Sequence, residues 1–215
     1  MSHLFLDQFD SARQIVFPKL AALAPPFMLA GGTAIMLQIG HRKSFDFDCF
    51  CVEPLTISMR KKLLKLFDAR TTIRYDTPEI FSVITPELVE VTLVSYPYPS
   101  LRPIIQTPSI PILHMDDLIA NKAHTLGRRN TWRDYVDIFF ALKWNLYTIS
   151  SIITLAEQKY QNEFNARLFL GQLDYFEDIQ VVDTIFLKES YTPNEIKNYL
   201  QKTVRAYLQN TLPIA

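Results

Sequence analysis

The chain predicts an α+β fold, with a mixed sheet and flanking helices in the N-terminal part and a helical C-terminal region. Segments of strand character ("PPFMLA", "SFDFDCFCV", "EIFSVI", "LVEVTLVSY") all lie before residue 97. Apolar residues at helical spacing fill the chain after residue 111. Strands cluster early and helices late, which excludes a repeating βαβ architecture. Residues 97 to 111 hold five prolines and read as the linker, so the expected regions are 1–100 and 101–215.

In order, residues 5 to 23 carry an apolar helical stripe in which Pro18 bends or ends a turn. "PPFMLAGG" reads as a short buried strand stopped by two glycines, and "TAIMLQIG" as a brief apolar helix ended by Gly40. "SFDFDCFCV" alternates as a strand, with Phe45, Phe47, Cys49 and Cys51 on one face and Asp46, Asp48 and Phe50 on the other. "ISMRKKLLKLFD" is an amphipathic helix. "EIFSVI", the turn "TPE" and "LVEVTLVSY" form a hairpin rich in β-branched residues. The helices "MDDLIANKAHTLG" and "TWRDYVDIFFALKW" follow, then a helical series from 151 with breaks near 171 to 175 and 189 to 193. The aromatic tail (Phe164, Phe169, Tyr175, Phe176) is expected in the helical core.

Composition narrows the function classes only slightly. The 215 residues are 48% hydrophobic and 20% charged, ordinary for a globular protein. Lys plus Arg equals Asp plus Glu at 22 each, so net charge leaves no footprint for nucleic acid, although a local patch could bind it. Cys49 and Cys51 stand two apart on one strand face, too far for a comfortable disulfide and too few for a zinc site. No apolar run reaches the roughly 18 residues of a membrane span, and the N-terminus lacks the pattern of a signal peptide. A cytoplasmic location, with buried thiols, is the expectation.

The chemistry concentrates in "AGGTAIMLQIGHRKSFDFDCF". A strand followed by Gly31, Gly32 and Thr33 at a helix N-terminus presents backbone N–H groups and a hydroxyl to a phosphate, or is a plain turn. Asp46 and Asp48, about 6.5–7 Å apart along a strand, converge on a hard cation or form a solvent-facing stripe. Magnesium takes few protein carboxylates and completes its octahedron with water and phosphate oxygens. His41, Arg42 and Lys43 suit a nucleotide's phosphates or neutralise the aspartates. Arg133 and Asp137, four apart, could pair within their helix, and Asp116 or Asp117 could cap the helix that carries Lys122.

Taken in order, Gly-Gly-Thr, a short helix and "GHRKSFDFDCF" resemble the first motif of polymerase-beta-like nucleotidyltransferases, in particular the AbiEii/AbiGii-type nucleotidyl transferase toxin family. "VEVTLVSYPYP", "DDLIANKAHTL", "RRNTWRDYVDIFFAL" and the tail "FNARLFLGQLDYFEDI" continue the resemblance over nearly the whole chain. It implies that Gly31, Gly32 and Thr33 hold the β and γ phosphates of an NTP, that Arg42 adds positive charge there, and that Asp46 and Asp48 bind Mg²⁺. A third carboxylate is expected on the strand "LVEVTLV". Glu90 and Thr92 share a face there, and only Glu90 could be ligand or general base; it could equally be an exposed strand residue. The resemblance further implies that Lys122, with Arg129 and Arg133, contacts the triphosphate, and that Asp134 and Asp137 orient Lys122 and Arg129. Asp134 counts among the catalytic candidates and Asp117 goes to the helix N-terminus.

The activity so implied is Mg²⁺-dependent transfer of a nucleotidyl group from an NTP to an acceptor hydroxyl, with release of pyrophosphate. RNA or tRNA is one acceptor class, and a cognate antitoxin would be the partner in a toxin–antitoxin or phage-defence system. The alternatives are a non-catalytic nucleotide- or RNA-binding relative and a small-molecule nucleotidyltransferase of the antibiotic-modifying type.

Overall fold

The computed structural model describes residues 4–126, 128, 129 and 131–211, which divide into two compact units, Met1–Met115 and Asp116–Ala215. In the first unit, helix α1 (Ser11–Lys19) is capped by Asp10, whose side chain accepts from the Arg13 N–H. Pro18 lies inside its last turn, and the chain tightens there into a 3₁₀ turn, Leu20–Leu23. Strand β1 (Met28–Ala30) leads directly into helix α2 (Gly31–Ile39), which ends at Gly40 in the left-handed conformation. Strand β2 (Phe47–Cys51) and helix α3 (Ile57–Lys65) follow, then β3 (Thr72–Asp76), β4 (Ile80–Ile84) and β5 (Glu90–Ser95).

Among the described residues these five strands make one sheet in the order β1-β2-β5-β4-β3. β2 and β5 run parallel and every other neighbouring pair antiparallel, so the sheet is mixed, as the sequence predicts. Alternation in β2 is faithful: Phe47, Cys49 and Cys51 are buried, while Asp48 and Phe50 are partly exposed. Phe47 packs its ring 5.5 Å from Phe9 and 5.9 Å from Phe17, which anchors β2 to the N-terminal helix. Both cysteines are free.

One expectation is corrected and one strand is new. The proline-rich stretch belongs to the first unit, because Leu29 of β1 donates to the Pro111 carbonyl and accepts from Leu113, and Ile112 bridges Leu29 and Ile105. Proline lacks an N–H, yet its carbonyl still serves a neighbouring strand. Strand β3 was not anticipated: all five residues are exposed, so "TIRYD" lacks the in–out alternation that identifies a half-buried strand.

The second unit is helical, with α4 (Met115–Thr125), α5 (Trp132–Lys143), α6 (Ile149–Tyr160), α7 (Ala166–Asp174) and α8 (Pro193–Thr211). α5 is the central helix, buried at Trp132 and continuously from Asp134 to Leu142. α8 lays Ile196, Leu200 and Val204 inward, and its Tyr199 ring meets Phe139 edge-on at 5.2 Å. The expected breaks move: α7 runs through Gly171 to Asp174, and residues 175 to 192 are irregular. Phe169 and Phe176 are buried, whereas Tyr175 stands 48% exposed just past the end of α7 and leaves the expected aromatic core. No helix among the described residues is long and apolar enough to cross a membrane.

Candidate functional site

The turn from β1 into α2 brings backbone and carboxylate into direct contact. Gly31 opens α2 with φ +65°, and a Cβ at this position would lie 2.0 Å from Asp48 Oδ2. Only glycine allows both the backbone angle and the approach. The β1–β2 register explains the meeting, since Ala30 pairs with Asp48 across the ladder. The Asp48 carboxylate thus sits against the N-terminal end of α2, where the helix dipole favours negative charge. Asp46 precedes β2 by one residue, and its carbonyl accepts from the Thr33 hydroxyl. Asp46 and Asp48 are both partly exposed.

Two residues expected to face a phosphate point inward instead. Thr33 is 1% exposed, and its hydroxyl fixes the main chain at Asp46. Arg42 is 2% exposed; it donates to the Lys43 carbonyl and packs so closely on α2 that a Cβ on Gly32 would lie 2.7 Å from its Nη2. His41 is buried as well, so "HRK" is not a solvated basic loop.

β5 resolves the geometry around Glu90. In the parallel register Thr92 is the direct partner of Asp48, and directly paired residues turn their side chains to one face. Thr92 therefore stands opposite Asp48 on the neighbouring strand, and Glu90 lies two residues before it on the same face. Glu90 is engaged there: Oε2 meets Arg74 Nη1 at 2.5 Å, and Oε1 accepts from Ser82 Oγ at 2.5 Å. Ser82 in turn accepts from Thr92 Oγ1 at 3.2 Å. Arg74 is held above its ordinary pKa by the Tyr75 side chain and then by Glu90, with Asp46 adding to the negative field. Among the described residues no three His, Cys, Asp or Glu side chains gather at one point as metal ligands. Arg74 and Ser82 were missed in the sequence because strand register, not spacing along the chain, brings them to Glu90.

The remaining candidates lie in the second unit, around α4 and α5. Lys122 Nζ sits 2.5 Å from Asp134 Oδ1 and 2.7 Å from Asp137 Oδ2, with all three side chains buried. Arg129 closes a fork on Asp134, with Nε at 2.8 Å from Oδ2 and Nη2 at 3.1 Å from Oδ1. Burial pushes the Asp134 carboxyl up, but Lys122 and Arg129 outweigh it and hold the group below its usual range. Asp137 is directed to Lys122 rather than to Arg133 of its own helix, because a buried carboxylate needs the buried cation. Arg133 is partly exposed. Asp117 does more than serve the start of α4: it is fully buried and meets Lys159 of α6 at 2.7 Å. Asp116 accepts from the Tyr147 hydroxyl at 2.6 Å. Lys159 was missed because an α6 lysine amid apolar residues reads as a surface cation until its partner on α4 is known.

A family model described as nucleotidyl transferase AbiEii toxin, type IV TA system, matches residues 81–210. An uncharacterized protein of Aquifex aeolicus is 27% identical over 191 residues, covering 86% of this chain and 89% of its own. A Helicobacter pylori protein described as a candidate nucleotidyltransferase superposes with a TM-score of 0.61 at 16% identity, covering 93% of this chain and 94% of its own. MenT4, a nucleotidyltransferase toxin from Mycobacterium tuberculosis, gives a TM-score of 0.60 at 16% identity, covering 94% of this chain and 84% of its own. Those structures share the fold, and the family model spans well over half of the sequence: the chain belongs to the AbiEii nucleotidyl transferase toxin family.

Proposed function

We propose that the protein transfers a nucleotidyl group from an NTP to an acceptor hydroxyl, with Mg²⁺ held by Asp46 and Asp48. The observation that carries this reading is the seat of Asp48 against Gly31 at the start of α2, which puts a carboxylate beside backbone N–H groups suited to phosphate. The donor set fits the ion, since magnesium needs only one or two carboxylates when water and phosphate oxygens fill the rest. When bound, Mg²⁺ would offset phosphate charge and favour departure of pyrophosphate.

The chain's own groups take the remaining roles. The Gly31–Gly32 backbone holds phosphate oxygens, while Thr33 and Arg42 brace the loop from inside. In the second unit, Arg129 and Arg133 stand partly in water, while Lys122 lies between two carboxylates. Glu90 accepts the proton of the acceptor hydroxyl after exchanging its Arg74 contact. The acceptor class we favour is RNA, including tRNA. The toxin family also points to a cognate antitoxin as partner.

A second reading, a nucleotide-binding relative without catalysis, is favoured by one observation: both Glu90 oxygens are engaged by Arg74 and Ser82, and Thr92 is the residue opposite Asp48. The test supplies each labelled NTP, Mg²⁺ and total tRNA to the purified protein and to Asp46→Ala and Asp48→Ala variants. Label on RNA, lost in both variants, supports the transferase. NTP binding without any label transfer moves the protein to the second reading. Label only on a small molecule assigns it to the small-molecule class instead.

A further inference from the structure

β3 breaks its register with β4 in one place, and the break points at the carboxylate face. Ile73 pairs with Val83 and Tyr75 with Ser82, which leaves Arg74 as an extra residue, a β-bulge. A bulge re-aims a side chain and puts two successive residues on nearly the same side of the sheet. Tyr75 shares the face of its partner Ser82, which in turn pairs with Thr92, the partner of Asp48. Arg74 joins that face, as its ion pair with Glu90 requires. In regular pairing Arg74 would itself stand opposite Ser82 and Tyr75 would turn to the other face, with Phe81, so the bulge is what sets Tyr75 beside Arg74 on the carboxylate face.

The pair so presented combines a cation and a ring. The guanidinium of Arg74 lies 5.4 Å from the Tyr75 ring centroid, the Arg74 side chain is 50% exposed, and Tyr75 is 52% exposed. An arginine beside an exposed aromatic, on the face that carries Asp48, has the two functions a nucleotide unit needs: a donor fork for phosphate and a flat surface for a base. Glu90 pre-positions the guanidinium, and the contact is open enough to water for a phosphate to compete for it.

We propose that Arg74 and Tyr75 form a second nucleotide subsite, Arg74 taking a phosphate and Tyr75 stacking a base. This rests on the nucleotidyl-transfer reading above. Its occupant is a nucleotide unit, supplied either by the NTP or by the acceptor strand. A phosphate on Arg74 displaces the Glu90 carboxylate, so filling the subsite frees Glu90 to take up a proton.

The test measures binding without turnover, which keeps it separate from the labelled-transfer assay. Fluorescence anisotropy follows a labelled single-stranded RNA oligonucleotide, a DNA oligonucleotide of the same sequence and a labelled NTP. Wild type is compared with Arg74→Ala, Arg74→Lys and Tyr75→Ala, each checked for folding by circular dichroism. Loss of about tenfold or more in oligonucleotide affinity for Arg74→Ala and Tyr75→Ala, with a salt slope shallower by about one for Arg74→Ala, establishes the subsite as the acceptor's. The same loss confined to the NTP establishes it as the NTP's. Arg74→Lys, which keeps the charge without the fork, falls between wild type and alanine. Affinities within twofold of wild type for all three probes overturn the proposal, as does a wild-type protein that binds none of them. If Asp46→Ala abolishes transfer while the Arg74 and Tyr75 variants bind as wild type, the transferase reading stands and the subsite falls.

Discussion

Two clusters of charge in this protein are built on opposite principles. On the sheet, Asp46 and Asp48 are partly exposed, and the Arg74 guanidinium that meets Glu90 stands half in water. In the helical unit, Lys122, Asp134 and Asp137 are almost wholly buried, and two cations meet two carboxylates within hydrogen-bond distance. The sheet cluster keeps its carboxylates where a cation and phosphates can reach them. The helical cluster is already neutralised from within, so its charges hold structure whatever else they do. Ligand chemistry and stability should therefore separate under mutation, and each prediction tests that separation.

The largest effect on stability is expected at Asp134. Replacement by alanine removes the carboxylate shared by Lys122 and Arg129 and leaves the buried Lys122 ammonium with one carboxylate fewer. Breaking a buried pair in this way costs about 3–5 kcal/mol. Urea unfolding should show a much lower midpoint with little change in slope. Asp48→Ala, at a partly exposed site, should stay within about 1 kcal/mol of wild type while losing transfer. Equal destabilisation by both would erase the contrast.

Gly31→Ala comes next, and it acts on the sheet cluster alone. A methyl group 2.0 Å from Asp48 Oδ2, on a backbone with φ +65°, cannot be accommodated without moving the carboxylate. The backbone angle costs about 1–2 kcal/mol, and an ångström-scale displacement of the carboxylate lowers transfer by about 10²-fold. The variant should therefore remain folded and retain the helical unit's stability while transfer collapses. Undiminished transfer would mean that Asp48 does not need its seat on α2.

The two clusters also differ in how far the sequence exposes them. Gly31, Gly32, Asp46 and Asp48 lie within one short run, so the sequence already shows them as a group, and alternation in "FDFDCFC" assigns the face of Asp48. The Asp134–Lys122–Asp137 knot joins adjacent helices whose apolar stripes are plain, and family resemblance supplied the pairing that periodicity could not. What stayed hidden depends on register or burial. Arg42 reads as loop charge until its guanidinium is seen packed on Gly32. Arg74 lies in an exposed edge strand without alternation, and a bulge decides that Tyr75 joins it on the same face. Asp117 and Lys159 are 42 residues apart, joined only by the packing of α4 on α6.

The smallest effect is a pH dependence confined to the helical unit. Burial, reinforced by the Arg128 charge and opposed by Glu163, lowers the His124 pKa from its ordinary value to about 4. Its ring stacks on Tyr160 at 3.8 Å with an interplanar angle of 11°. The folded pKa lies below the unfolded one, so between about pH 6.5 and 4 the unfolded chain binds a proton that the folded chain refuses. Stability must fall as pH drops through that window and then stop changing on this group's account. Partial exposure of the imidazole limits the loss to about 1 kcal/mol, well short of the full value of such a shift. Asp134, held below its usual range, loses most of its contribution below the usual carboxylate pKa, at and beyond the acid edge of this window, and does so equally with or without His124. His124→Phe keeps a ring against Tyr160 and removes the titration, so its urea midpoint relative to wild type should rise steadily from pH 6.5 to 4. A difference that is flat with pH would show that His124 is protonated in the folded protein, and the helical cluster would then carry a charge that its burial argues against.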